Sequence, residues 1–184
     1  MSPPVLQQTT VDEDALMVRF GKNDAEAFDA LYDRYERPIY SFCLRLLGDP
    51  DSAADAFQDV FMRVVDARTR YEPRGRFASW IFTITRRVCL DRLRTARRYE
   101  PLDRHLALTN DGDIDAATRV AANDTIDRLL AHLSIEQREV LVLNRYHGFT
   151  YREIARMLDS TEAAVKQKAY RAVETLRKAR GGKA

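Results

Sequence analysis

The chain has 184 residues, 45% of them apolar and 32% charged, with a formal net charge of +2. Those proportions exclude a disordered chain, and with no run of about 18 apolar residues and no signal-peptide pattern the expectation is a cytoplasmic protein without membrane insertion. The length suits one ordinary domain or two small helical ones, and Cys43 and Cys89 are too few for a disulfide framework, so both read as reduced core residues.

Residues 1–10 contain Pro3 and Pro4 without periodicity and read as a frayed tail, with helix beginning near Asp12. Over Asp24–Leu47 a broad apolar stripe recurs at helical spacing, and Pro38 within it predicts a kink or a fresh start. Gly48-Asp49-Pro50 ends that segment, and Asp51 is the expected cap of a helix over about Ser52–Arg68. Thr69–Arg76 is a loop, broken by Pro73 and Gly75, and Phe77–Arg98 is a long helix with Phe77, Trp80, Ile81, Ile84, Val88 and Leu93 on its apolar side. Tyr99–Val120 has no sustained period and five acids against two bases, which reads as an acidic linker. Helical spacing resumes at Ala121, and Ser134 with Gln137 forms a capping box.

Thr150–Lys178 reads as two helices joined by a tight turn. Thr150 with Glu153 makes a second capping box, Asp159 is a short polar residue suited to the corner, and Val165, Ala169, Ala172, Val173 and Leu176 recur as an apolar face. A helix-turn-helix needs close packing, a corner and an anchor at those places. With Val165, Ala169, Ala172 and Leu176 turned inward, Ala163, Ala164, Gln167, Arg171 and Glu174 face outward. Gln167 can pair with adenine and Arg171 with guanine in a major groove, Lys166 and Lys168 suit phosphates, and Thr161 with the free amides at the helix start can hold another.

Net charge is uninformative here, but its distribution is not. Residues 22–66 hold ten acids and five bases; residues 67–98 hold ten arginines and two acids. The acidic side of the third helix, with Asp55, Gln58, Asp59, Met62 and Asp66, is either a solvated face or a protein-binding surface. The cationic stretch carries Arg74, Arg76, Arg86, Arg87 and Arg94 among the rings of Tyr71, Phe77 and Trp80, and a one-signed arginine row suits a polyanion. Cations for phosphates beside rings for unstacked bases are what single-stranded nucleic acid requires, although Phe77 and Trp80 individually fit the core. His105, His132 and His147 have no ligand spacing, no nucleophile–base pair stands out, and neither a metal, a cofactor nor catalysis is expected.

Two stretches together resemble a known family. AFDALYDRYERPIYSFCLRLLGDPDSAADAFQDVFMRVV and YEPRGRFASWIFTITRRVCLDRLRTARR are similar to the first conserved module of bacterial sigma factors of the extracytoplasmic-function (ECF) type, and LLAHLSIEQREVLVLNRYHGFTYREIARMLDSTEAAVKQKAYRAVETLRK to the second. The resemblance implies an all-α chain of two small helical domains joined by an acidic flexible linker: residues 1–20 as tail and start of the first helix, 21–98 as a region 2-like domain, 99–121 as the linker, and 122–184 as a region 4-like helix-turn-helix domain. It also implies a promoter-specificity subunit for core RNA polymerase, meeting its β′ clamp and β subunits. Asp55, Gln58, Asp59 and Met62 would grip the β′ clamp helices. Tyr71, Arg74, Arg76, Phe77, Trp80, Arg86, Arg87 and Arg94 would recognise and melt the −10 element. Thr161, Ala164, Lys166, Gln167, Lys168 and Arg171 would read the −35 element. The linker would thread toward the polymerase channels, and an anti-sigma protein would be a further partner. The chain departs from the family pattern at Asp159, where glycine is usual, and in AAVKQKAYRA, where V-K-S-R-x-x-R-A is typical.

A stand-alone helix-turn-helix regulator of duplex operators is the alternative, and a protein-binding scaffold a third. The acidic face and the aromatic–basic loop count against the first, the arginine row and the Gln167/Arg171 face against the second.

Overall fold

The computed structural model describes residues 12–99 and 128–181, all helices and turns with no strand among them. Four helices make the first module: α1 (Glu13–Gly21), α2 (Ala25–Leu47), α3 (Pro50–Ala67) and α4 (Phe77–Tyr99). Among the described residues three make the second: α5 (Ile135–Arg145), α6 (Tyr151–Met157) and α7 (Glu162–Gly181), after helical residues 128–131. The expected tail and linker fall outside the described residues, apart from Tyr99, which closes α4.

Local chemistry sets most helix ends. Asp12 caps α1 by accepting from Ala15 N, and Asp24 caps α2 by accepting from Ala27 N. Gly48, at φ 77°, closes α2 in the left-handed region that a Cβ disfavours. The cap of α3 is Asp49, not Asp51: its carboxylate accepts from Ser52 N at 2.8 Å, Pro50 takes the first helical position, and Asp51 falls in the first turn. Pro38 starts no new helix either. α2 continues through it, since Tyr35, Ile39 and Phe42 on either side are fully buried and their packing outweighs one missing N–H.

In the first module Leu31, Tyr35, Ile39, Phe42 and Leu46 of α2 meet Ala56, Val60 and Val64 of α3 and Phe77, Ile81 and Phe82 of α4. Cys43 and Cys89 lie inside it as free thiols with Sγ atoms 3.7 Å apart. The Cys43 contact and burial push the Cys89 thiol far above its ordinary range, so Cys89 offers no thiolate. At the end of α1, Gly21 lies so close to the end of α3 that a Cβ would stand 2.6 Å from the Arg68 carbonyl oxygen. That neighbour is backbone and cannot rotate away. Gly21→Ala is therefore expected to destabilise the module by about 1–3 kcal/mol, a drop of about 5 °C or more in its unfolding midpoint by calorimetry. An unchanged midpoint would mean that α1 slides freely.

The second module is a helix-turn-helix packed on α5. Ser134/Gln137 and Thr150/Glu153 both form complete capping boxes, and Asp159 turns the corner at φ 49°. Val165, Ala169 and Ala172 of α7 are buried against α5 and α6, whereas Val173 is 38% exposed, one position off the apolar face.

The modules touch. Arg86 of α4 reaches Glu139 of α5, with Nε 2.7 Å from one carboxylate oxygen and Nη2 3.4 Å from the other. Arg138 is buried, donating to Leu130 O and to Leu46 O in the last turn of α2, where a cation suits the helix dipole. Phe82 of α4 packs on His147 and Phe149, Phe42 on His147, and the Arg45 guanidinium lies 4.3 Å over the Tyr146 ring.

Candidate nucleic-acid interface

The loop before α4 and the start of α4 bring three rings together. Tyr71 lies 4.9 Å from Trp80 and 5.9 Å from Phe77, centroid to centroid, both edge-on. Phe77 is 2% exposed and sits beneath as part of the core, so Tyr71 and Trp80, both half-buried, are the rings that reach the surface. Arg74 and Arg76 flank them in solvent, Arg74 paired with Glu72. The Tyr71 hydroxyl donates to Asp14 Oδ1 at 2.6 Å; burial and then that bond push its phenol well above the ordinary range, so it stays a donor. A groove of about 660 Å³ separates this loop from α6, walled by Tyr71, Phe77, Trp80, Phe149 and Met157.

The arginine row is divided. Arg87 is exposed and Arg94 meets only Asp91, one turn back, among the described residues. Arg86 is turned to Glu139 of the second module. Arg92 points across to α3 and holds both Asp59, at 2.6 Å, and Asp55, at 3.3 Å. The acidic face of α3 is thus partly answered from within, while Gln58 and Met62 stand free in solvent, Met62 61% exposed. The side chains of Arg97 and Arg98 lie outside those described.

On α7, Gln167 and Arg171 are exposed on the outer face, with Ala163 one turn before. Lys166 pairs with Glu162 along the helix and Lys168 with Glu136 of α5 at 2.7 Å; these bonds hold both carboxyls below their usual range. The Thr161 hydroxyl accepts from Ala164 N at 3.2 Å, which makes it the helix cap. Between Gln167 and Arg171 stands Tyr170, 68% exposed. It escapes a reading based on hydrogen-bonding side chains, although its helical position beside Gln167 places it on the same surface.

Comparison with known proteins decides the family. The Sigma-70 region 2 family matches residues 31–99, and the Sigma-70 region 4 family matches residues 123–176. An ECF RNA polymerase sigma factor, SigK of Mycolicibacterium vanbaalenii, is 32% identical over 182 residues, covering 96% of this chain and 93% of that one. This chain belongs to the ECF sigma factors. The sigma factor CarQ of Myxococcus xanthus is 29% identical, covering 90% of this chain and 95% of its own. Two solved structures share the fold: CnrH in complex with the cytosolic domain of CnrY, at TM-score 0.73 and 21% identity over 95% of this chain and all of that one, and RpoE with the anti-sigma factor NepR from Bartonella quintana, at 0.64 and 22% over 82% and 94%. The ECF chain is accordingly a promoter-specificity subunit, of a family that regulates by binding DNA. The described helices include none long and apolar enough to cross a membrane.

Proposed function

We propose that this ECF sigma factor divides promoter recognition between its modules. The observation that carries the reading is the pair of exposed surfaces, an aromatic–cationic loop at Tyr71–Trp80 and the Gln167/Arg171 face of α7, one on each module. The first suits an unstacked strand, with rings to receive bases and Arg74, Arg76, Arg87 and Arg94 for phosphates. Phe77 supports the rings from beneath. The second fits a duplex major groove, where Gln167, Arg171 and the ring of Tyr170 stand out, and where Thr161, holding the Ala164 N–H, leaves the amides before it at the helix start for phosphate. Gln58 and Met62, with the outer edges of Asp55 and Asp59, form the surface offered to the polymerase clamp. Core polymerase, promoter DNA and an anti-sigma protein are the partners; RpoE, of like fold, was solved with the anti-sigma factor NepR.

The −35 and −10 elements lie roughly 25 base pairs apart, about 85 Å of duplex. Modules in direct contact cannot reach both at once, so promoter binding requires Arg86 and Glu139 to separate. Arg86 then becomes available to DNA.

Run-off transcription with purified core polymerase tests the reading: promoter-dependent transcript is expected only when this chain is added. No transcript, together with failure to co-purify with core, overturns it. In the same system Arg171→Ala is expected to relax base preference at one −35 position by about 1–3 kcal/mol, measured by competition among duplexes. Lys168→Ala is expected to weaken all sequences alike and to reduce the salt slope by less than about one unit, since Glu136 already takes part of its charge.

A further inference from the structure

Asp14 is a carboxylate in the first turn of α1, 6% exposed, on a helix to which neither the sequence pattern nor the region 2 match at residues 31–99 gives a part in DNA recognition. Its two oxygens go to the two ends of one short stretch. Oδ1 accepts from the Tyr71 hydroxyl at 2.6 Å, and Oδ2 accepts from the backbone N–H of Gly75, 61 residues away in sequence. Between those two donors lie Glu72, Pro73 and Arg74, all exposed. Gly75 is at φ 64°, a left-handed conformation that costs glycine nothing and turns its N–H inward, toward α1.

The carboxylate is thus a clip across the loop. Through Tyr71 it also fixes the ring that packs edge-on against Trp80, so the platform and the arginine beside it share one anchor. Few other groups could do this. The stretch is short, contains a proline that donates no N–H, and has no helix or strand partner of its own. An aspartate offers two acceptor oxygens in one plane, each able to form a charge-assisted bond, and its place in the first turn of α1 sets negative charge where the helix dipole favours it.

We infer that Asp14 is a positioning residue for −10 recognition: it holds the Tyr71–Gly75 loop in the shape that presents Tyr71, Trp80 and Arg74 to the unpaired strand. The inference rests on the reading of that loop as the −10 surface. It makes α1 part of the promoter-reading apparatus, through a residue that never touches DNA.

The test uses holoenzyme reconstituted from full-length chain and core polymerase. Competition among single-stranded −10 oligonucleotides that differ at one base reads discrimination, permanganate reactivity of promoter thymines reads strand opening, and titration with core reads attachment. Asp14→Ala removes both acceptors and is expected to cut discrimination and opening about tenfold, with core affinity and −35 duplex preference within about twofold. Asp14→Asn should recover most of the loss, because the amide oxygen can still accept from Gly75 N and the amide N–H can donate to the Tyr71 oxygen. Tyr71→Phe deletes a single hydroxyl, keeps the ring, and should lose about threefold in the same two readouts.

The inference is overturned if Asp14→Ala and Tyr71→Phe both keep wild-type discrimination, or if discrimination falls only in proportion to core affinity. Arg74→Ala and Arg76→Ala separate this from the reading beneath it. If those two variants leave affinity for the single-stranded −10 oligonucleotides unchanged, the loop is not the −10 surface. If they reduce that affinity while Asp14→Ala keeps wild-type discrimination and opening, only the role of Asp14 fails.

Discussion

Arg86→Ala is expected to part the two modules. Glu139 is almost wholly buried, its side chain 2% exposed, and Arg86 is the cation that meets both of its oxygens. Burial already pushes the Glu139 carboxyl above its ordinary range, and the arginine offsets part of that. A buried ion pair adds little net stability over an apolar pair of the same shape, but removing one partner strands the other's charge, typically at 3–5 kcal/mol. Arg86 keeps 23% of its side-chain exposure, so the lower end applies, about 3 kcal/mol. The measurement is small-angle scattering with calorimetry: a larger radius of gyration, and two unfolding transitions where the joined modules give one.

Glu139→Ala removes the other half of the pair and separates contact from DNA binding. The stranded group is then Arg86, which can turn to water, so the closed form loses less than in Arg86→Ala and the modules open to a smaller extent. The freed guanidinium is left for phosphate. Arg86→Ala is therefore expected to open the chain and weaken promoter opening, whereas Glu139→Ala opens the chain and tightens binding to promoter DNA. If both variants leave scattering and the single transition unchanged, the pair does not hold the modules together.

This pair also marks the limit of what the sequence discloses. Capping boxes at Ser134/Gln137 and Thr150/Glu153 are legible because both partners lie three residues apart, and the corner at Asp159 because one residue's φ decides it. The inward face of α7 follows from period alone, with Val173 the exception where the stripe runs one residue too wide. Asp49 and Asp51 both flank Pro50, and only the choice of proline as first helical residue makes Asp49 the cap. The arginine row is the harder case. Its sign is written in the chain, but Arg86 answers a carboxylate 53 residues away, and Arg92 answers two on α3, 33 and 37 residues back. Asp14 likewise meets its partners 57 and 61 residues on. Spacing rules describe neighbours on one helix and carry nothing about such pairs.

Acid should weaken the contact between the modules, through His147. The ring lies between Phe42 of α2 and Phe82 of α4, with the Arg45 cation of α2 also acting on it, and its Nε2 is buried without a hydrogen-bond partner among the described residues. Burial first, and then Arg45, lower its pKa from 6.5 to about 3. A base whose pKa is depressed in the closed form binds protons more readily once exposed. Its contribution is complete above pH 6.5 and is lost as pH falls below that value, by about 1.4 kcal/mol per unit and about 2 kcal/mol at pH 5. Glu139 works in the opposite sense, since a raised carboxyl pKa favours the closed form at lower pH. Glu136 and Glu162, whose pKa values are lowered from 4.5, stay ionised between pH 6.5 and 5, so that window isolates the histidine and Glu139. His147→Leu removes the first and leaves the second. Across that window the scattering radius of the parent chain should rise on acidification, while that of His147→Leu should hold or fall; parallel curves for the two chains would acquit His147.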